Sequence, residues 1–313
     1  MARAQWLDGW LTRAIQARKV DTKDLRDALG RMVFVYGALQ YDKPFLAPLF
    51  AFLSVHQIGV VRRLPLYALI VMRWLRDRLR VRRSHVVRRR TTIAGSVLRV
   101  DAKAEGLTVA VGGWAPVRDE RGQIDVSRSP WLSLTLTKEN APWAFVKGEP
   151  ARAISTLELL ATTVGLVLLS PKELSAPGVA GTVAMTGLTD SQVSSAVVTR
   201  GLTTSYPLCT VAMELAAQLE QRGAELFLDW VPRDQNREAD RLADGAFEGF
   251  SEELRVKMEL HQIRWLVLPD LLRAGEHFFR TRRRPGGLKR KPPVATGTAA
   301  KRRKPGLKER EPW

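Results

Sequence analysis

Three strand-like stretches follow one another between residues 97 and 137, and no helical stretch separates them. Val97–Asp101 is short and apolar. Leu107–Val117 opens with Leu107, Val109 and Val111 on one side and Thr108, Ala110 and Gly112 on the other. Trp131–Thr137 sets Leu132, Leu134 and Leu136 against Ser133, Thr135 and Thr137. Period-two alternation puts successive side chains on opposite faces of a strand. Parallel neighbours need a crossover of a dozen or more residues, so these strands are expected to form an antiparallel meander. The polar stretch Arg118–Pro130 between the last two reads as a loop.

Beyond residue 150 helices and strands alternate. Apolar spacing predicts a helix at Ala151–Leu168, a strand near Thr182–Leu188, and helices near Ser191–Thr199 and Leu208–Gln221. A strand at Glu225–Val231 and a helix at Arg237–Phe250, which Asn236 can cap, complete the series. A meander followed by strand–helix alternation is the pattern of an α/β domain, a mixed sheet flanked by helices. Residues 4–80 read as helical, with Trp6, Leu7, Trp10, Leu11 and Ile15 on one stripe and Leu25, Leu29, Met32, Val33 and Tyr36 on another. Phe45–Val61 is apolar but holds Pro48, His56, Gln57 and Gly59, so a buried helix is expected there and no membrane span. The expected organisation is a helical region (1–92) with an Arg-rich end, an α/β domain (95–250), a helical extension (251–280) and a basic, disordered tail (281–313).

The net charge of +18 is concentrated in two places. Residues 71–100 carry a net +9 and residues 280–313 a net +11, which leaves the rest of the chain at about −2. Two basic segments on a near-neutral body point to a polyanion partner, because each Lys or Arg that meets a phosphate releases condensed counterions. Arg76, Arg80 and Arg83 lie on the basic helix face and are candidate phosphate contacts. The clusters at 289–292 and 301–305 read as a nuclear-import signal or a nucleic-acid tail, so the protein is expected to be nuclear or cytoplasmic. No secretory signal is expected, because Met1–Val20 has no apolar block. The single cysteine, Cys209, excludes an internal disulfide and a cysteine-based zinc cluster, and its apolar neighbours make it a core residue.

Four carboxylates fall at telling places. Glu158 sits at the edge of the stripe formed by Ile154, Leu157, Ala161, Val164 and Leu168, where a charge needs a cation, a donor or a proton. Asp101 ends the first strand, Asp190 follows the strand Thr182–Leu188, and Asp240 lies in the first turn of a helix. Each alone is compatible with a solvated Asp at an element end. Brought together at one end of a sheet, the four would repel each other unless divalent cations were bound.

Four motifs now join in order. Val-Leu-Arg-Val-Asp-Ala (97–102) with Val-Gly-Gly-Trp (111–114), Leu-Glu-Leu-Leu-Ala (157–161), Thr-Asp-Ser-Gln (189–192) and Trp-Val-Pro-Arg-Asp-Gln-Asn-Arg-Glu-Ala-Asp-Arg-Leu-Ala (230–243) resemble the ribonuclease H domains attached to retroelement reverse transcriptases. Upstream, Leu29–Pro48 resembles the helical region linking a polymerase to such a domain, although no Tyr-x-Asp-Asp motif is present. The resemblance implies a ribonuclease-H-like five-stranded mixed sheet, three antiparallel strands followed by parallel ones. It implies hydrolysis of the RNA strand of RNA–DNA hybrids with two Mg²⁺ ions (Mn²⁺ as a substitute) held by Asp101, Glu158, Asp190 and Asp240. In that scheme Asp101 bridges both ions, Glu158 and Asp190 complete one shell, and Asp240 completes the other. Ser191 and Gln192 become candidates for minor-groove contacts, and a polymerase module in a longer polyprotein becomes a candidate partner. Arg233 and Asp234 stand where many members carry a histidine that assists product release. The competing expectation is a weakly active or inactive nucleic-acid-binding remnant of the same fold.

Overall fold

The computed structural model describes residues 2–37, 41–81, 89–145, 149–170 and 181–281. Arg83, the tail beyond residue 281 and its basic clusters lie outside these residues. The chain runs α1 (Ala2–Ala17), β1 (Lys19–Asp21), α2 (Thr22–Gly37), α3 (Ala47–Leu53), β2 (Val61–Arg63) and α4 (Leu66–Val81). Then come β3 (Arg89–Glu105), β4 (Thr108–Trp114), β5 (Val117–Arg118), β6 (Ile124–Asp125) and β7 (Trp131–Leu136). The short α5 (Pro142–Phe145), α6 (Ile154–Leu169), β8 (Gly181–Thr189), α7 (Gln192–Arg200) and α8 (Leu208–Arg222) follow. The series ends with β9 (Ala224–Trp230), α9 (Arg237–Asp244) and α10 (Leu268–Thr281).

Five strands form the central sheet in the order β7-β4-β3-β8-β9. β3, β4 and β7 are antiparallel neighbours, whereas β3–β8 and β8–β9 are parallel. This is the mixed sheet expected from a meander followed by strand–helix alternation. Two details differ. Leu107 is exposed, not inward-facing, because it belongs to the tight turn between β3 and β4 with Gly106 at φ 58. β4 is buried on both faces from Val109 to Trp114, so its alternation reports two packed faces, not one wet and one dry.

One face of the sheet carries α6, with Leu157, Leu160, Ala161 and Val164 buried against Val100, Val111 and Leu134. The apolar helical stretch Pro150–Leu169 is long enough to cross a membrane, but it is this core helix. The opposite face carries α9, where Ala239 and Leu242 pack with Trp114 and Trp131. Each large apolar side chain buried in this way contributes roughly 1.5–3 kcal/mol. α9 ends at Asp244 because Gly245 takes φ 81, so the expected helix to Phe250 is shorter and the chain folds back. That return brings Phe247 and Phe250 against Trp131. The small β5–β6 hairpin begins at Val117 and occupies the first part of the stretch read as a loop, Arg118–Pro130.

The N-terminal helices form a second core with Met213, Ala216 and Ala217 of α8, with Val267, and with Leu271, Ala274 and Phe278 of α10. α8 therefore faces both cores, and residues Met1–Arg283 make one compact unit. The stretch Phe45–Val61 contributes α3, whose Ala47, Leu49, Ala51 and Phe52 are buried. Within 251–280 only α10 is an α-helix. Its start is anchored by fully buried Glu214 of α8, which accepts from the main-chain N–H groups of Leu266 (3.0 Å), Val267 (2.8 Å) and Leu268 (2.8 Å). Those are donors a helix start leaves without internal partners. Cys209 is buried beside Tyr67, and burial pushes its thiol up to about 11, so it packs as a small apolar residue.

Candidate active site

Asp101, Glu158, Asp190 and Asp240 line one pocket of about 410 Å³. The fold explains the convergence. Asp101 lies on β3 and pairs directly with Gly112 of β4, so both residues share a face. An ideal Cβ on Gly112 would stand 2.4 Å from the main-chain nitrogen of Ala243, so this face is the one on which α9 lies. α9 brings Asp240 in its first turn. Asp190 follows β8, the parallel neighbour of β3, and Glu158 comes from the first turns of α6.

Asp101 is 6% exposed, and Asp190 is the charged neighbour that acts on it most strongly. Burial, with Asp190 next and Asp240 further off, pushes Asp101 up to about 8 from its ordinary 3.8, against a lowering bond from the Ala102 main chain. Glu158 is also raised, mainly by burial and then by Asp190, while a bond with the Ser191 hydroxyl opposes the shift. Asp190 Oδ1 is buried with no hydrogen-bond partner. Neighbouring buried carboxyls and a bare buried oxygen call for a proton or a cation to neutralise them. Hard divalent cations take such oxygen donors, so the residues present fit Mg²⁺ or Mn²⁺. Among the described residues, no three acidic, His or Cys side chains are already gathered to metal-holding distance. Arg233 holds Asp240 in an ion pair.

Neighbouring residues fix these groups. Asn236 is fully buried, and its Nδ2 donates to the Val100 carbonyl at 3.0 Å. It precedes α9 as expected but makes no side-chain cap. Trp230 Nε1 donates to the Asp190 carbonyl at 2.9 Å. Ser191 is buried, accepts from Ser194 N at 3.1 Å as the cap of α7, and bonds Glu158. Its hydroxyl is therefore engaged within the protein.

The other candidates scatter. Gln192 is exposed in an adjoining cleft of about 530 Å³, which Arg152, Ser155, Thr156 and Arg200 also line. Arg76 bonds Asp77 at 2.8 Å and Arg80 bonds Asp8 at 2.6 Å, and neither lines the carboxylate pocket. Sequence reasoning missed Lys103, Glu105 and Asp244, which also line it, with Lys103 Nζ 2.8 Å from Asp244 and 3.2 Å from Glu105. Spacing held the signal: 103 and 105 share a strand face with Asp101, and 244 follows Asp240 by one helical turn.

No protein-family model and no curated protein matches the chain. Among solved structures it is similar to LC11-RNase H1, isolated from compost by a metagenomic approach, at 18% identity and a TM-score of 0.33 over 48% of this chain and 92% of that one. RNase H1 from the halophilic archaeon Halobacterium salinarum gives 20% identity and a TM-score of 0.27 over 50% and 96%. The N-terminal RNase H domain of a Mycobacterium tuberculosis protein, solved as a maltose-binding-protein fusion, gives 18% and 0.27 over 50% and 92%. The sheet order, the strand directions and the helices on both faces make this a ribonuclease-H-like fold.

Proposed function

We propose that the protein is a Mg²⁺-dependent endonuclease that cuts the RNA strand of RNA–DNA hybrids, and that it derives from a retroelement Pol-like protein without a polymerase active site. The observation that carries this reading is the meeting of Asp101, Glu158, Asp190 and Asp240, from four separate elements, in one pocket. The retroelement origin is supported by the four motifs and their order.

Asp101 would serve both of two cations, with Glu158 and Asp190 completing one shell and Asp240 the other. The bound ions would supply an activated water and neutralise charge on the departing 3′ oxygen. The chain's own residues do the rest. Ser191 and Trp230 hold Glu158 and Asp190 in place, and Asn236 holds the α9 start against β3. Arg233, 72% exposed at its side chain and paired with Asp240, is placed to bind a substrate phosphate in its stead. Gln192, on the cleft beside the carboxylate pocket, is a candidate minor-groove contact, where the 2′-hydroxyls of the RNA strand and the helix shape distinguish a hybrid from DNA.

A panel of strand-labelled substrates tests the reading. The expected result in Mg²⁺ is cutting of RNA inside a hybrid, with single-stranded RNA and duplex DNA left whole. Hybrid binding without cutting would establish the inactive remnant instead, and cutting of duplex DNA would point to a different nuclease of this fold.

A further inference from the structure

We propose that the groove between the N-terminal helices and α10 binds single-stranded nucleic acid, at a site separate from the carboxylate pocket. The groove measures about 660 Å³ and is lined by Arg18, Arg63 and Arg273, together with His56 and His277. No acidic residue lines it. The three arginines come from three places: the end of α1, β2, and α10. All three are exposed. Arg273 reaches Asp270 only at 4.0 Å, and among the described residues neither Arg18 nor Arg63 has an ion pair. Lys19, exposed on β1 and paired directly with Arg63, extends the positive surface beside it.

Arg18 supplies a second, independent observation. It has φ 51, the one non-glycine residue with positive φ among the described residues. Its carbonyl accepts from Leu64 N at 2.9 Å, which fixes that conformation. A glycine would fill this position after a helix without strain, so the arginine side chain is held there at a conformational cost. That side chain lines the groove.

The floor is apolar, with Phe52 buried and Leu66 59% exposed. Paired strands bury their base faces, so a duplex would leave this floor wet. Unpaired nucleotides satisfy both features, with bases on the apolar floor and phosphates on the arginines. The choice of nucleic acid as occupant rests on the proposed nuclease function, in which single strands flank or leave the hybrid.

Binding of a labelled oligouridylate to the full chain in EDTA, read by fluorescence anisotropy across salt concentrations, tests the proposal. Arg18→Gly/Arg63→Gln/Arg273→Gln is expected to weaken binding. The slope of log affinity against log salt should flatten by about 0.7 for each arginine that meets a phosphate. Arg18→Gly alone should weaken binding while leaving the melting temperature unchanged or higher, which separates binding from folding. Unchanged affinity and slope in both variants would overturn the proposal. So would an equal loss for a blunt hybrid duplex, or arginine-dependent binding to phosphatidylserine vesicles without oligouridylate binding. Failure of the nuclease reading shows separately, as a wild-type chain that leaves blunt hybrid uncut in Mg²⁺ while still binding oligouridylate in EDTA.

Discussion

Asn236 Nδ2 donates to the main-chain carbonyl of Val100 at 3.0 Å, which ties the residue before α9 to the residue before Asp101. One buried bond thus sets the spacing between the elements that carry Asp240 and Asp101. Asn236→Ala leaves the Val100 carbonyl without that donor and is expected to cost about 1–3 kcal/mol. Chemical denaturation measures that loss, and hybrid cleavage should fall further than the stability loss explains, because the two aspartates lose their register.

Gly112 makes a second such constraint. Its position directly opposite Asp101 lets the α9 backbone lie on the sheet, with no room for a Cβ near Ala243 N. Gly112→Ala must push α9 outward, at a cost of roughly 1–3 kcal/mol for overpacking. The variant should stay folded at low temperature, need more Mg²⁺ for half-maximal cleavage, and melt lower than wild type.

The titration of Asp101 gives a pH signature. Its carboxyl is raised to about 8, against an ordinary 3.8, with burial the first cause and Asp190 the second. Between those values the folded chain keeps a proton that the unfolded chain has released, so metal-free stability falls as pH rises through the window. Glu158, also raised, acts in the same direction. Urea denaturation in EDTA at a series of pH values should show this decline, and Asp101→Asn should flatten it. Bound cations need the ionised carboxylates, so metal uptake should release protons below pH about 8 and tighten as pH rises. Stability that climbs with pH across the window in EDTA would contradict the assignment.

Arg233 competes with cations for Asp240 through its ion pair. Arg233→Gln should therefore lower the Mg²⁺ concentration needed for half-maximal cleavage, while the Michaelis constant for hybrid rises because a phosphate contact is lost. A metal titration at saturating substrate separates the two effects.

The local patterns carried much of this arrangement. Period-two alternation placed β4 and β7, and the apolar stripe of α6 singled out Glu158, because both signals are set by neighbours a few residues away. The contacts that were not legible join residues far apart in the chain. Nothing near Asn236 foretells a bond to Val100, and nothing near Gly112 foretells the approach of Ala243. The basic run on α4 singled out Arg76 and Arg80 as phosphate contacts but gave no sign of their partners within the fold, Asp77 for Arg76 and Asp8 of α1 for Arg80. Charge runs report composition, whereas ion pairs report the fold. α9 was read as too long because Phe247 and Phe250 continue an apolar pattern that belongs to a returning loop under Trp131.

The most direct measurement is cleavage of an RNA–DNA hybrid labelled on the RNA strand, in Mg²⁺, by wild type and by Asp101→Asn. The account predicts RNA cutting by wild type that falls to background in the variant, with hybrid binding retained. Equal cutting by both chains would place the chemistry elsewhere and contradict the assignment of the four carboxylates.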